Sequence, residues 1–213
     1  MPTTEIAVLP LKAGSEIGDP NNQASSITSS FFDSLRVVDG VQQINFGTKV
    51  EDPTHLQMMI TWDDIKKHHD FMSADSYGPI TGTLGPLLDG DVAMMHVDFQ
   101  PGQLTKVFSA PVTECLTLYF DGEAPSSYLN DVASVDKALQ GTEGYLGYAA
   151  GFTHEEIEKE GTKGTGAVVL IGWQSIEAHH AFRETKAFKD NIGTLASTAK
   201  NRTVWHVQFM QSV

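Results

Sequence analysis

The sequence predicts an α+β chain made of two copies of one β-α-β-β-α-β unit. Three observations carry that prediction. Residues 60–71 read Ile-Thr-Trp-Asp-Asp-Ile-Lys-Lys-His-His-Asp-Phe and residues 171–182 read Ile-Gly-Trp-Gln-Ser-Ile-Glu-Ala-His-His-Ala-Phe, six identities in twelve positions at an offset of 111. His96-Val97-Asp98-Phe99 returns as His206-Val207-Gln208-Phe209 at offset 110. Gly40 to Gly47 resembles Gly144 to Gly151 at offset 104, and the polar insert His154 to Gly166 absorbs the seven-residue difference. Self-similarity at a fixed spacing is the mark of a repeated structural unit, so the chain divides near Gly102 into repeats 1–103 and 104–213.

Each element follows in order. The first strand (Ile6–Leu11; Cys115–Phe120) has β-type composition. A helix follows over about Gln23–Val38 and about Ser127–Leu139, the second opening on the start signals Pro125-Ser126-Ser127. Strand two (Val41–Lys49; Tyr145–Phe152) leads to strand three (Leu56–Trp62; Ala167–Trp173). The next helix starts at Asp63-Asp64 and at Gln174-Ser175, whose side chains can cap free amides. A closing strand spans Val92–Phe99 and Thr203–Phe209. Within the insert, Glu155 to Glu160 reads as a solvated loop or short surface helix. One such ferredoxin-like unit buries one sheet face under its helices, and two copies can cover each other's second face.

Composition narrows the function classes. With 27 acidic and 14 basic residues in 213 the formal charge is −13, which repels phosphate backbones and argues against nucleic-acid binding. No apolar run approaches the roughly 20 residues of a membrane span, and no signal peptide is visible at Met1-Pro2-Thr3-Thr4-Glu5. The single cysteine, Cys115, excludes an internal disulfide and reads as a buried small side chain. A cytoplasmic protein meeting small molecules is the expectation.

At Trp-x-x-Ile-x-x-His-His-x-Phe, followed by His-Val-x-Phe, the sequence resembles the dimeric α+β barrel superfamily, in the branch of the antibiotic-biosynthesis monooxygenase and stress-responsive A/B-barrel domains. The resemblance covers nearly the whole chain twice. It implies an intramolecular pseudo-dimeric α+β barrel formed by the two repeats, with a homodimer of that chain allowed. It also implies a cofactor-independent enzyme, a monooxygenase or a cyclase/dehydratase, acting on an aromatic or polyketide-like molecule of secondary metabolism. The alternative is a non-catalytic ligand-binding or stress-associated barrel, because one fold hosts many functions.

The residues offer a short set of candidates. At about 100° per residue from Ile65, His68 lies near 300° among apolar side chains and faces the sheet, while His69 sits at the edge of that face. His68 is therefore the candidate general base, imidazole titrating near neutrality; the competing reading is a structural histidine copied by the duplication, and His179 repeats it. On the closing strand, alternation places Met94, His96 and Asp98 together, with Asp98 as an orienting carboxylate for His96. Six residues beyond Phe71 and Phe182 stand Tyr77 and Phe188, where the resemblance to A/B-barrel cyclases implies a base histidine. Tyr77 can donate a hydrogen bond and Phe188 cannot, which favours the first repeat. Trp62, Met72, Phe46, Trp173, His179 and His206 are the expected ligand-lining side chains. No HExxH or comparable ligand spacing occurs, so no metal is expected, and no phosphate-binding glycine loop indicates a nucleotide cofactor.

Overall fold

The computed structural model describes residues 1–100 and 102–212, apart from the side chains of residues 192 and 194–196. The chain divides into two compact units, Met1–His96 with Met210–Val213, and Val97–Phe209.

The first unit runs β1 (Thr3–Pro10), α1 (Gln23–Leu35), β2 (Val41–Thr48), β3 (His55–Trp62), α2 (Ile65–Met72), α3 (Tyr77–Gly82), a 3-10 turn (Gly85–Leu87) and β4 (Ala93–Val97). Its strand order is β4-β1-β3-β2, and β1 and β2 are both antiparallel to β3. Helix α1 is capped by Asn22, whose side chain accepts from the Ala24 amide at 2.9 Å. It buries Ala24, Thr28, Phe31, Phe32 and Leu35, one stripe at helical spacing, against Leu9, Met58 and Ile60 of the sheet.

The second unit repeats this plan. After α4 (Gln103–Phe108) come β5 (Val112–Tyr119), α5 (Tyr128–Leu139), β6 (Tyr145–Lys159), β7 (Thr162–Trp173), α6 (Ile176–Arg183), α7 (Lys186–Ala196) and β8 (Asn201–Val207), in sheet order β8-β5-β7-β6. A two-residue strand β9 (Met210–Gln211) pairs with β2 and belongs to the first unit. Each unit has its own apolar core, and the fold is α+β with two ferredoxin-like repeats.

The repeats match in detail. Asp64 and Ser175 cap α2 and α6, accepting from the Lys67 amide at 3.0 Å and the Ala178 amide at 3.1 Å. The register of the β2–β3 pair shifts between Val41 and Gln43, and that of β6–β7 shifts between Tyr145 and Gly147. Gly40 and Gly144 hold φ of 92° and 78°. A Cβ on either would lie 2.6 Å from the Lys67 Cβ or 2.5 Å from the Ala178 Cβ, so glycine lets the second helix come close.

Three expectations are corrected. The insert is neither loop nor helix: β6 and β7 continue as a paired hairpin out to Lys159 and Thr162, turned by Glu160 and Gly161 at φ 50° and 80°. Its charged run alternates along a strand, with Ile157 more buried than Glu156 and Glu158 and lying where Gly166 has no side chain. The first strands begin at Thr3 and Val112, three residues before the expected starts, which brings Glu5 and Glu114 inside them. Helices α3, α4 and α7 were not anticipated; α3 follows α2 after a short break and opens on Tyr77.

Candidate functional site

In the first repeat, β1 and β3 turn Glu5, Ala7, Leu9, Met58 and Ile60 to a cavity of about 330 Å³ whose other wall comes from the helices. Phe31 and Leu35 of α1, His68 and Phe71 of α2, and Tyr77 and Thr81 of α3 complete much of that wall, with Met94 of β4 at its border. The surface is mostly apolar, and its ionisable members are Glu5, His68 and Tyr77.

These polar groups belong to a buried network. The Trp62 indole N–H donates to Glu5 Oε2 at 3.0 Å, and His68 Nε2 lies 3.3 Å from the same oxygen. His68 Nδ1 and His96 Nε2 share a hydrogen bond of 2.7 Å. One proton lies between those two nitrogens, so the rings take complementary roles as donor and acceptor. Trp62, fully buried, stacks on the His68 ring at 4.7 Å and 19° and fixes its plane. Tyr77 packs edge-on against Phe71 at 5.2 Å.

Burial sets the protonation of this site. A carboxylate shut away from water is disfavoured, and desolvation pushes Glu5 up from 4.5 to about 7, against the opposing pull of the Trp62 hydrogen bond and the charge of His96. Burial also raises the Tyr77 phenol, and the nearby Glu5 charge adds to that. Tyr77 therefore stays protonated and able to donate near neutral pH.

The second repeat carries the same four residues. Trp173 Nε1–H donates to Glu114 Oε2 at 3.0 Å, His179 Nε2 lies 3.4 Å from that oxygen, and His179 Nδ1 meets His206 Nε2 at 2.7 Å. Trp173 stacks on His179 at 5.0 Å and 17°. Where Tyr77 meets Phe71 edge-on, Phe188 meets Phe182 edge-on at 5.5 Å.

Of the residues singled out in the sequence, the structure gathers His68, His96 and Trp62 in one network, with Tyr77 in the same cavity wall as His68. Trp173, His179 and His206 form the counterpart network. Phe46 packs on Phe32 at 4.4 Å within the core, and Met72 is exposed on the outer side of α2. Asp98 pairs with His154 at 2.9 Å. The carboxylate of the network is Glu5, which sequence reasoning missed. Its signal was available, since Glu5 and Glu114 head matching strands. Cys115 is buried. Among the described residues, no three His, Cys, Asp or Glu side chains are grouped to hold a metal ion. No helix among them is long and apolar enough to cross a membrane.

No family model matches the sequence, and no curated protein matches it significantly. Solved structures do match over the whole chain. An anthrone oxidase-like protein superposes with a TM-score of 0.66 at 11% identity, covering 99% of this chain and 93% of that one. A provisionally assigned monooxygenase from Fusobacterium nucleatum gives 0.64 at 14% identity, covering 98% and 92%. A provisionally assigned chlorite dismutase gives 0.60 at 9% identity, covering 99% and 96%. At such identities the likeness is one of fold, and over its full length this chain has the two-repeat α+β fold of monooxygenase-like proteins.

Proposed function

We infer that the chain is a cofactor-independent enzyme that takes a proton from a small aromatic or polyketide-like molecule held in the first-repeat cavity. The observation that carries this reading is the convergence of apolar walls on a buried carboxylate–imidazole pair with a tyrosine beside it. Sites of this kind are concave and apolar, with few polar groups, and an acid–base group works best when its pKa lies near the operating pH. Glu5, held at about 7, meets that condition.

Glu5 and His68 together accept the proton from an acidic C–H or phenol O–H, and the Tyr77 hydroxyl donates to the oxygen on which charge develops. Two outcomes then open. In a cyclisation or dehydration the proton returns at another atom of the substrate. In an oxygenation the substrate carbanion passes an electron to dioxygen, the radical pair joins as a hydroperoxide, and loss of water leaves a carbonyl: CH₂ plus O₂ gives C=O plus H₂O. The fold shared with an anthrone oxidase-like protein makes hydroxylated anthrones the first probes.

The test separates proton abstraction from oxygenation. Without oxygen, the protein is expected to speed deuterium exchange at the anthrone methylene; with oxygen, it consumes one O₂ per quinone formed. His68→Ala and Glu5→Gln each lose about a hundredfold of exchange, and Tyr77→Phe about tenfold. Full activity in both His68→Ala and His96→Ala proteins overturns the assignment. A second reading, a non-catalytic ligand-binding barrel, is favoured by one observation: the Glu–His–His–Trp network recurs in the repeat that carries Phe188 in place of a tyrosine. Probe binding with neither exchange nor oxygen uptake selects that reading.

A further inference from the structure

Next to Glu5 on the floor of the first-repeat cavity stands an alanine. Side chains two apart on a strand share a face, and Ala7 lines the cavity together with Glu5. Opposite Ala7 on β3 is Met58, also buried and also lining the cavity. The second repeat holds a different pair at the same register. Glu114 and Leu116 correspond to Glu5 and Ala7, and Leu116 stands opposite Val169 on β7. Both are buried in the second core. A sheet with the same strands, pairing and buried network therefore accepts two branched side chains where the first repeat has a methyl group and an unbranched thioether. The fold does not require the smaller pair.

The rim of the cavity follows the same logic. Gly78, Gly82 and Gly85 line it and are exposed. A Cβ on any of them would meet nothing within 4 Å, and none holds a left-handed φ. Neither crowding nor backbone conformation calls for glycine there, and helix propensity disfavours it in α3. The second repeat has Lys189 and Ala196 at the positions of Gly78 and Gly85. The exposed apolar side chains Val92 and Met94 complete the rim. The opening is thus bare backbone along α3 and the turn after it, with apolar side chains elsewhere.

We propose that Ala7 and Met58 set the size of the molecule the cavity admits, and that this molecule is a flat, fused-ring aromatic wider than a single ring, its reacting edge toward Glu5. A planar ring system passes a rim of bare backbone that side chains would narrow. The Phe31 and Phe71 rings of the wall pack favourably with another aromatic, and the thioether of Met58 adapts to a ring edge. At about 330 Å³ the cavity is at the small end of ligand sites, which run from about 300 to 1,000 Å³. One such molecule without a long side chain fills it. Ala7 is a specificity-determining residue and takes no part in the chemistry. The inference rests on the first-repeat cavity being the substrate site, and it concerns what binds there rather than what reacts.

The experiment measures binding to the full chain by calorimetry, with 1,8-dihydroxyanthraquinone as a three-ring probe and resorcinol as a one-ring probe. The parent protein is expected to bind the three-ring probe more tightly. Ala7→Leu is expected to weaken that probe about tenfold or more and to leave resorcinol within about twofold, the size of effect that a few methyl groups have in an apolar pocket. The double variant Ala7→Leu, Met58→Val installs the whole second-repeat pair, so it keeps the parent Tm and shows the same loss even where the single variant does not fold. Undiminished three-ring binding in the double variant overturns the proposal. Equal loss of both probes does so too, as does a parent protein that prefers resorcinol or binds neither. Deuterium exchange of the anthrone methylene keeps the two readings apart. Size-selective binding without exchange in the parent retains Ala7 as the size limit and removes the enzyme, whereas exchange that survives unchanged in the double variant does the reverse.

Discussion

Glu5→Gln keeps the shape of the side chain and an oxygen for the Trp62 indole but removes a titrating group from the core. The carboxyl sits at about 7 in the folded protein against an ordinary 4.5. Below pH 4.5 folded and unfolded chains both hold the proton. Between about 4.5 and 7 only the folded chain does, so stability falls by about 1.4 kcal/mol per pH unit. Above that window both are ionised and the loss, on the order of 3 kcal/mol, stays constant. Denaturation curves at about pH 5 and pH 8 are therefore expected to converge in Glu5→Gln relative to the parent; equal pH dependence in both proteins refutes the raised carboxyl. Trp62→Phe removes the donor from that buried oxygen and is expected to cost about 1–3 kcal/mol in the same assay. The sequence made the histidines and Trp62 visible through their recurrence, and helical periodicity turned His68 inward, as found. Glu5 stayed hidden because a single carboxylate before an apolar run looks like a solvated strand end. Its recurrence as Glu114 was the available signal, and the tertiary register, which brings the Trp62 indole and the His68 ring to Glu5, gives that recurrence its meaning. For Asp98, strand alternation gives a face but not the ion pair with His154.

At the scale of elements, the start of α2 and α6 is fixed by two devices, a capping side chain and a close glycine. Asp64→Ala and Ser175→Ala each remove one capping hydrogen bond and are expected to cost about 1 kcal/mol. Gly40→Ala and Gly144→Ala meet a left-handed φ and a fixed Cβ within 2.6 Å. Each is expected to lose more than about 1 kcal/mol, the size of the φ effect alone, and the Tm is the measurement. A larger loss from the cap variants than from the glycine variants contradicts this ranking. Strands, first helices and capped helices were legible because each has a local cause: period, propensity or a cap. The hairpin out to Lys159 was not, since its Glu- and Lys-rich stretch hides a two-residue alternation that pairing with β7 makes favourable. Helix α3 was missed because Gly78, Pro79 and Gly82 are poor helix formers; it is held by packing of Tyr77 and Ile80 against the first core rather than by propensity.

For the whole molecule, the duplication raises the question of whether two matching networks do the same work. The repeats agree in Glu5/Glu114, Trp62/Trp173, His68/His179 and His96/His206, and they part at Tyr77/Phe188 and Met72/Arg183. Fold and pairing survive both differences, so neither is needed to build the unit. A hydroxyl that can donate to a developing oxyanion, however, stands in the first repeat alone at this position. Activity is therefore expected to be asymmetric while stability is not. Glu5→Gln is expected to abolish most anthrone exchange and Glu114→Gln to leave it within about twofold, although both alter a buried network of the same geometry. The two variants should also show comparable shifts in denaturation midpoint, which separates loss of chemistry from loss of fold. Tyr77→Phe makes the first repeat resemble the second and is expected to lower exchange with little change in midpoint. Equal loss of exchange in Glu5→Gln and Glu114→Gln would assign the chemistry to both repeats and remove Tyr77 as the distinguishing residue.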